Sequence, residues 1–205
     1  MGILILGCGG HGRVVADAAS SAGIATIAFL DDAGWQREVS APFEIVGPFS
    51  ALLEAREKWK RAIIALGDND RRSELFTEVD AAGYEISNVV HPGAWVSMRA
   101  TLGRGVFVAA AAAVSIGAEI SDAAIINTGA TIDHDCVIGR AAHISPGAHL
   151  GGDVIVGERA WIGIGASVKH GVRIGNGAIV GAGAAVVNDV EAGATVVGVP
   201  ARARI

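Results

Sequence analysis

Two short stretches of this chain carry residue types at spacings that chemistry can use. The first is Gly7-Cys8-Gly9-Gly10-His11-Gly12, with the pair Asp31-Asp32 some twenty residues further on. Gly7, Gly9 and Gly12 fit G-x-G-x-x-G, in which glycines let backbone approach a phosphate held at a helix N-terminus and an acidic residue meets a ribose hydroxyl. Three readings stay open: a nucleotide or nucleotide-sugar site, a dinucleotide cofactor site, and a structural tight turn. A histidine inside the loop and a single mononucleotide-binding half weigh toward the first. The second stretch runs from Asn127 to Gly139 and contains Asp133-His134-Asp135. A histidine titrates near neutral pH and suits proton abstraction. A neighbouring carboxylate raises its basicity and fixes its tautomer. A lone histidine at a turn is more often a solvated surface group, and local sequence alone leaves both readings standing.

The element that must position His134 is a repeat of six. From Val96 to Val186, every sixth residue is aliphatic: Val96, Leu102, Val108, Val114, Ile120, Ile126 and so on through Ile174, Val180 and Val186. Two residues before each sits a smaller one, Ala94, Ala100, Ala112 or Cys136 for example. A strict period of six fits neither an α-helix nor a coiled coil, and it is the signature of a parallel β-helix. Three hexads close a triangular coil, with coils stacked about 4.8 Å apart. In this register Cys136 points inward and His134 falls at a turn beside a groove. His134 and His170 share a corner column two coils, roughly 9.6 Å, apart. His143 and His149 lie on different sides of the prism. No two histidines come close enough within one chain for a tetrahedral zinc site, so no metal is expected there, and a site shared between subunits is the alternative left open. Trp161 stands one coil beyond His143, as packing or as the wall of a groove.

Residues 1–90 alternate strand and helix. Ile3–Leu6 and Thr26–Leu30 read as strands around a helix from Gly12 to Ala22, closed by Gly23. A looser stretch, Ala33–Pro48, precedes a helix over Ser50–Lys58, a strand over Ala62–Leu66, a helix after Asp70 and a short strand over Glu85–Val90. This βαβ rhythm predicts a parallel sheet covered by helices, half of a Rossmann-like nucleotide-binding domain. His91-Pro92 marks the junction, with the β-helix domain over 91–205.

Composition excludes several classes. The net charge of −5 and the absence of a Lys/Arg block argue against a nucleic acid or an anionic membrane as partner. Apolar stretches are strand-sized, too short to cross a bilayer. The start, Met1-Gly2-Ile3-Leu4-Ile5-Leu6, lacks the basic region of a signal peptide and reads as a first strand. Cys8 and Cys136 look unpaired, which suits a reducing cytoplasm.

Taken in order along the chain, Gly7–Gly12, Phe29-Leu30-Asp31-Asp32, Asn127, His134-Asp135-Cys136-Val137-Ile138-Gly139 and Val197-Gly198-Val199-Pro200-Ala201-Arg202 resemble a family of bacterial sugar acyltransferases. The family is typified by the bacillosamine-pathway enzyme PglD and by NeuD-type sialic acid O-acetyltransferases. The resemblance implies a homotrimer of left-handed β-helices with active sites between subunits. It implies that His134 is the general base for the acceptor amine and that Asp135, often Glu in relatives, assists it. The acceptor's nucleotide would lie against Gly9, Gly10 and His11 with Asp31 and Asp32, and its sugar near Asn127. Acetyl-CoA would lie in the groove between β-helices, near His143, Gly152 and Ile164.

The expected function is direct acetyl transfer from acetyl-CoA to the amine of a nucleotide-linked amino sugar. Two alternatives are O-acetylation of a sialic acid or other sugar, and a non-catalytic subunit of a sugar-biosynthesis assembly.

Overall fold

The computed structural model describes residues 2–33 and 43–204. The N-terminal part is a five-stranded parallel sheet: β1 (Ile3–Leu6), β2 (Ile27–Leu30), β3 (Glu44–Gly47), β4 (Arg61–Ile64) and β5 (Glu85–Ile86), in the order β3-β2-β1-β4-β5. Its helices are α1 (Gly10–Ser21), a one-turn α2 (Leu52–Ala55) and α3 (Asn69–Ala81). The four residues of β1 are fully buried, as expected of a central parallel strand covered on both faces.

Three details differ from the sequence reading. The looser stretch holds a strand, β3, and its residues 34–42 lie outside the described residues. Ser50–Lys58 is not one helix but a 3₁₀ turn, Phe49–Ala51, followed by α2. Glu85–Val90 is two strands: Glu85–Ile86 closes the first sheet and Val89–Val90 begins the β-helix by pairing with Phe107–Val108. Asn88 makes that break, because its side chain bonds the Gly103 carbonyl at 2.8 Å and the Val106 N–H at 2.9 Å. An amide side chain that satisfies two backbone groups replaces the ladder a continuous strand would have made.

From Val89 onward the chain winds as a left-handed parallel β-helix in three sheets, its strands two residues long except for Thr195–Val197. Each strand pairs with the one eighteen residues on, Val96 with Val114 and Val114 with Ile132 for instance. The aliphatic column and the small-residue column are buried together in one continuous core, Cys136 among them. The period slips only at the end. After Val186 the next inward residue is Val190, bridged to Ile174, and then Val196, paired with Val180. Arg202–Ala203 folds back antiparallel on Thr195–Val197 and covers an edge that would otherwise be open.

The first part docks on one face of the prism. Val89, Phe107 and Ile125, outward on that face, share a core with Val15, Ala16 and Ala19 of α1 and with Ile3 and Ile5 of β1. Arg72 of α3 locks the joint. It is fully buried, and its guanidinium donates to the carbonyls of Ala123 (2.8 Å), Ala141 (2.6 Å) and Leu66 (2.8 Å) and to Asn69 Oδ1 (2.7 Å). No helix among the described residues is long and apolar enough to cross a membrane.

Candidate active site

The Gly-rich loop joins the end of β1 to the start of α1. A Cβ at Gly12 would run into the Gly7 carbonyl, so this glycine exists to let helix and strand touch. Gly9 and Gly10 face open space, and Gly9 caps the helix with no side-chain partner. The first N–H groups of α1 are thereby left for an anion to meet. Asp31 holds the loop's shape: Oδ2 accepts the Cys8 N–H at 2.6 Å and Oδ1 accepts the Ala33 N–H at 2.9 Å. Asp32 Oδ1 accepts the Phe49 N–H at 2.8 Å. Burial, and then the Asp31 carboxylate, push the Cys8 thiol up.

His11 leaves α1 toward the β-helix and meets a second imidazole. Its ring lies 5.4 Å from that of Phe107 and 6.2 Å from that of His143, which in turn lies 4.7 Å from Trp161. Asn127 Oδ1 accepts the Thr128 N–H at 2.8 Å, which turns its amide nitrogen to His143 Nε2 at 3.1 Å. His143 therefore accepts at Nε2 and carries its proton on Nδ1. Burial and the Arg72 cation lower His11 to about 4. Burial, then Arg72 and His11, lower His143 to about 3. Both rings are neutral at pH 7. Here the structure gathers His11, Asn127 and His143 beside the Gly-rich loop.

His134 sits at a different corner, in the turn between Thr131–Ile132 and Val137–Ile138. Its Nδ1 donates to Asp135 Oδ2 at 2.9 Å, and its backbone N–H donates to Asp133 Oδ1 at 2.8 Å. With Nδ1 engaged, Nε2 keeps the lone pair and is the nitrogen that can accept a proton. The Asp135 hydrogen bond first, then the charges of Asp133, Asp135 and Asp153, raise His134 above its ordinary 6.5. The ring is half-exposed and lies over Gly152, where any Cβ would collide with it. Gly152 thus clears the space His134 occupies.

Spacing among histidines does not find one feature of this corner. Single ligand atoms of His134, Asp135 and Asp153 lie within 4.8 Å of one another. All three are exposed and solvated, an arrangement acidic surfaces adopt without an ion. Cys136, by contrast, is buried and donates to the Gly151 carbonyl at 3.2 Å. Burial raises its thiol pKa, which makes it a poor nucleophile.

The predicted residues therefore fall into two groups within one chain. The loop, Asp31, Asp32, His11, Asn127 and His143 lie at the face that carries the first domain. His134, Asp135 and Gly152 lie at the corner where the other two sheets meet, away from that face. Ile164 is exposed in a turn between the first group's face and a neighbouring sheet. Sequence reasoning missed two residues. Arg72 has no signal, being one arginine of two in a polar helix whose neighbour Arg71 pairs with Glu74 and Glu78 at the surface. Ser145 did have one: it stands eighteen residues after Asn127, almost fully buried, and its Oγ has no hydrogen-bond partner among the described residues.

Comparison with known proteins follows the same division. Residues 2–79 match the PglD N-terminal domain family, and residues 153–188 match the bacterial transferase hexapeptide family (six repeats). PerB from Caulobacter crescentus, solved with CoA and GDP-perosamine, is 41% identical with a TM-score of 0.95, over 100% of this chain and 97% of that one. The acetyltransferase domain of PglB from Neisseria gonorrhoeae, solved with acetyl coenzyme A, is 38% identical with a TM-score of 0.95, over 98% of each chain. WeeI from Acinetobacter baumannii is 27% identical with a TM-score of 0.92, over the whole of both chains.

Proposed function

The chain belongs to the hexapeptide-repeat acetyltransferases that carry a PglD-type N-terminal domain, and from that we propose that it transfers the acetyl group of acetyl-CoA to the amine of a nucleotide-linked amino sugar. One observation carries the reading. A His–Asp pair with a free Nε2 stands at a β-helix corner, in a chain alike over its full length to an enzyme solved with CoA and GDP-perosamine. A GDP-linked sugar is the first acceptor to try.

The residues divide the work. The N–H groups at the start of α1 hold the nucleotide's phosphates, while Gly9 and Gly10 admit them without a side chain in the way. His11, Asn127 and His143, the two rings neutral at pH 7, supply uncharged polar contacts to the sugar and to the thioester. As the amine nitrogen attacks the thioester carbonyl, His134 Nε2 takes its proton, a contribution of about 10²–10⁴-fold. The carbon–nitrogen bond forms, the carbon–sulfur bond breaks, and CoA leaves as its thiol, with the proton returned through His134 or solvent. Backbone N–H groups of the groove can stabilise the oxyanion, and holding both substrates together supplies most of the rest.

A single chain holds the loop and His134 on different sides of its prism, so the working site draws on two copies. A homotrimer, with His134 of one subunit facing the loop of the next, meets that need and closes a ring. Exposed Met98 and Ile116, in the column leading to His134, give the contact an apolar margin.

The test is thiol release from acetyl-CoA against UDP-, GDP- and dTDP-linked amino sugars, with a sialic acid as the hydroxyl acceptor. Turnover with an amino sugar and none with the sialic acid is the result expected. Turnover with the hydroxyl acceptor alone makes the chain an O-acetyltransferase, and no turnover with any acceptor makes it a non-catalytic subunit.

A further inference from the structure

The corner that carries His134 recurs every eighteen residues. One of its columns reads Met98, Ile116, His134, Gly152, His170, and the next reads Arg99, Gly117, Asp135, Asp153, Gly171. Asp135 and Asp153 turn through left-handed backbone, with φ of 58° and 59°. At the matching position of other turns stand Ala111, Ala123 and Ala141, with φ between 52° and 58°. Alanine is thus accepted at this turn, and backbone conformation alone does not demand glycine there.

Most glycines at these turns, Gly147, Gly165, Gly177 and Gly183 among them, have open space where a Cβ would stand. Gly105 is crowded, but by Ile86 and Phe76, which is packing of the first domain. Gly117, with φ 74°, is crowded by a functional group: its Cβ would fall on Asp135 Oδ1 and 3.2 Å from Asp135 Cγ. Backbone bonds fasten this coil to its neighbours, Gly117 N–H to the Arg99 carbonyl and Asp135 N–H to the Ile116 carbonyl, each at 3.1 Å. Anything added at 117 therefore displaces the carboxylate before it displaces the backbone.

We infer that Gly117 is a positioning residue for the transfer reaction: the space left by its missing side chain is the recess that seats the Asp135 carboxylate against His134 Nδ1. The inference rests on the proposed His134–Asp135 pair. With the recess filled, Oδ1 must swing out and the 2.9 Å bond from Nδ1 to Oδ2 is lost. Asp133 and Asp153 still face the ring, so its basicity falls without vanishing.

Four variants test this: Gly117→Ala, the control Gly177→Ala, Asp135→Ala, and Gly117→Ala combined with Asp135→Ala. Each is measured for thermal unfolding, for kcat and KM separately, and for the pH dependence of kcat/KM. Gly117→Ala is expected to fold and to lose about tenfold or more in kcat, part of a general base's contribution. Its KM for acetyl-CoA should hold while its acid limb moves to lower pH. Gly177→Ala should shift neither, and the double variant should be no slower than Asp135→Ala. A moved limb in Asp135→Ala with an unmoved one in Gly117→Ala overturns the recess alone. An unmoved limb in Asp135→Ala overturns the pair and the recess together. If Gly117→Ala does not fold, the double variant decides: folding restored by removal of the carboxylate supports the recess, and continued failure overturns it.

Discussion

As the proposed base, His134 owes its basicity to what surrounds it. Three carboxylates, Asp133, Asp135 and Asp153, act on a half-exposed ring, and the Asp135 hydrogen bond is the largest of their effects. A general base must be unprotonated, so activity should rise with pH through a point above the ordinary histidine value of 6.5. In Asp135→Asn that rise should move to lower pH and the plateau should drop, because a weaker base titrates earlier and pulls less. A pH profile of kcat/KM unchanged by Asp135→Asn would contradict this role. The His–Asp pair itself was legible in the sequence, since adjacency in the chain delivers contact at a turn. The recess beneath Asp135 and the clearance at Gly152 were not, because both depend on which coil lies against which, and on where a side chain settles between them.

At the scale of elements, the hexad reading succeeds because one period specifies face, register and core together. It misses the start by one step and the end by a slip of two residues, where Asn88 and the four-residue Val186–Val190 connection follow their own local bonding. The joint between domains was not legible at all. Arg72→Met should leave the carbonyls of Ala123 and Ala141 unpaired in the interior, a loss of about 1–3 kcal/mol each, read as a lower denaturation midpoint. Wild-type stability in that variant would remove Arg72 from the joint.

The same joint makes the fold sensitive to acid. His11 and His143 hold pKa values of about 4 and 3 in the folded chain against an ordinary 6.5. Below pH 6.5 the unfolded chain therefore binds more protons than the folded one. Stability is whole above that pH and falls as the solution is acidified toward 4, at about 1.4 kcal/mol per unit of depression for each group. The melting temperature should drop between pH 6.5 and 5, before ordinary carboxylates titrate, and drop less in His143→Gln. A flat melting temperature over that interval would refute the neutral, buried pair.

Across the whole molecule, loop and base stand on different sides of one prism, and in the proposed assembly a second copy brings them together. Family resemblance implies that assembly, and the distribution of residues supplies a physical reason for it. The most direct measurement is complementation between two damaged chains, His134→Ala and Gly10→Glu. Gly10 has open space around it, so the glutamate should leave the fold intact while its charge repels a phosphate at the start of α1. Each variant alone should release almost no thiol from acetyl-CoA with a nucleotide-linked amino sugar. Co-assembled in equal amounts, they should recover activity, roughly a quarter of the wild-type rate for random mixing in a closed ring. No recovery from a verified mixed assembly, or full turnover by His134→Ala alone, would contradict a site built from one subunit's base and its neighbour's loop.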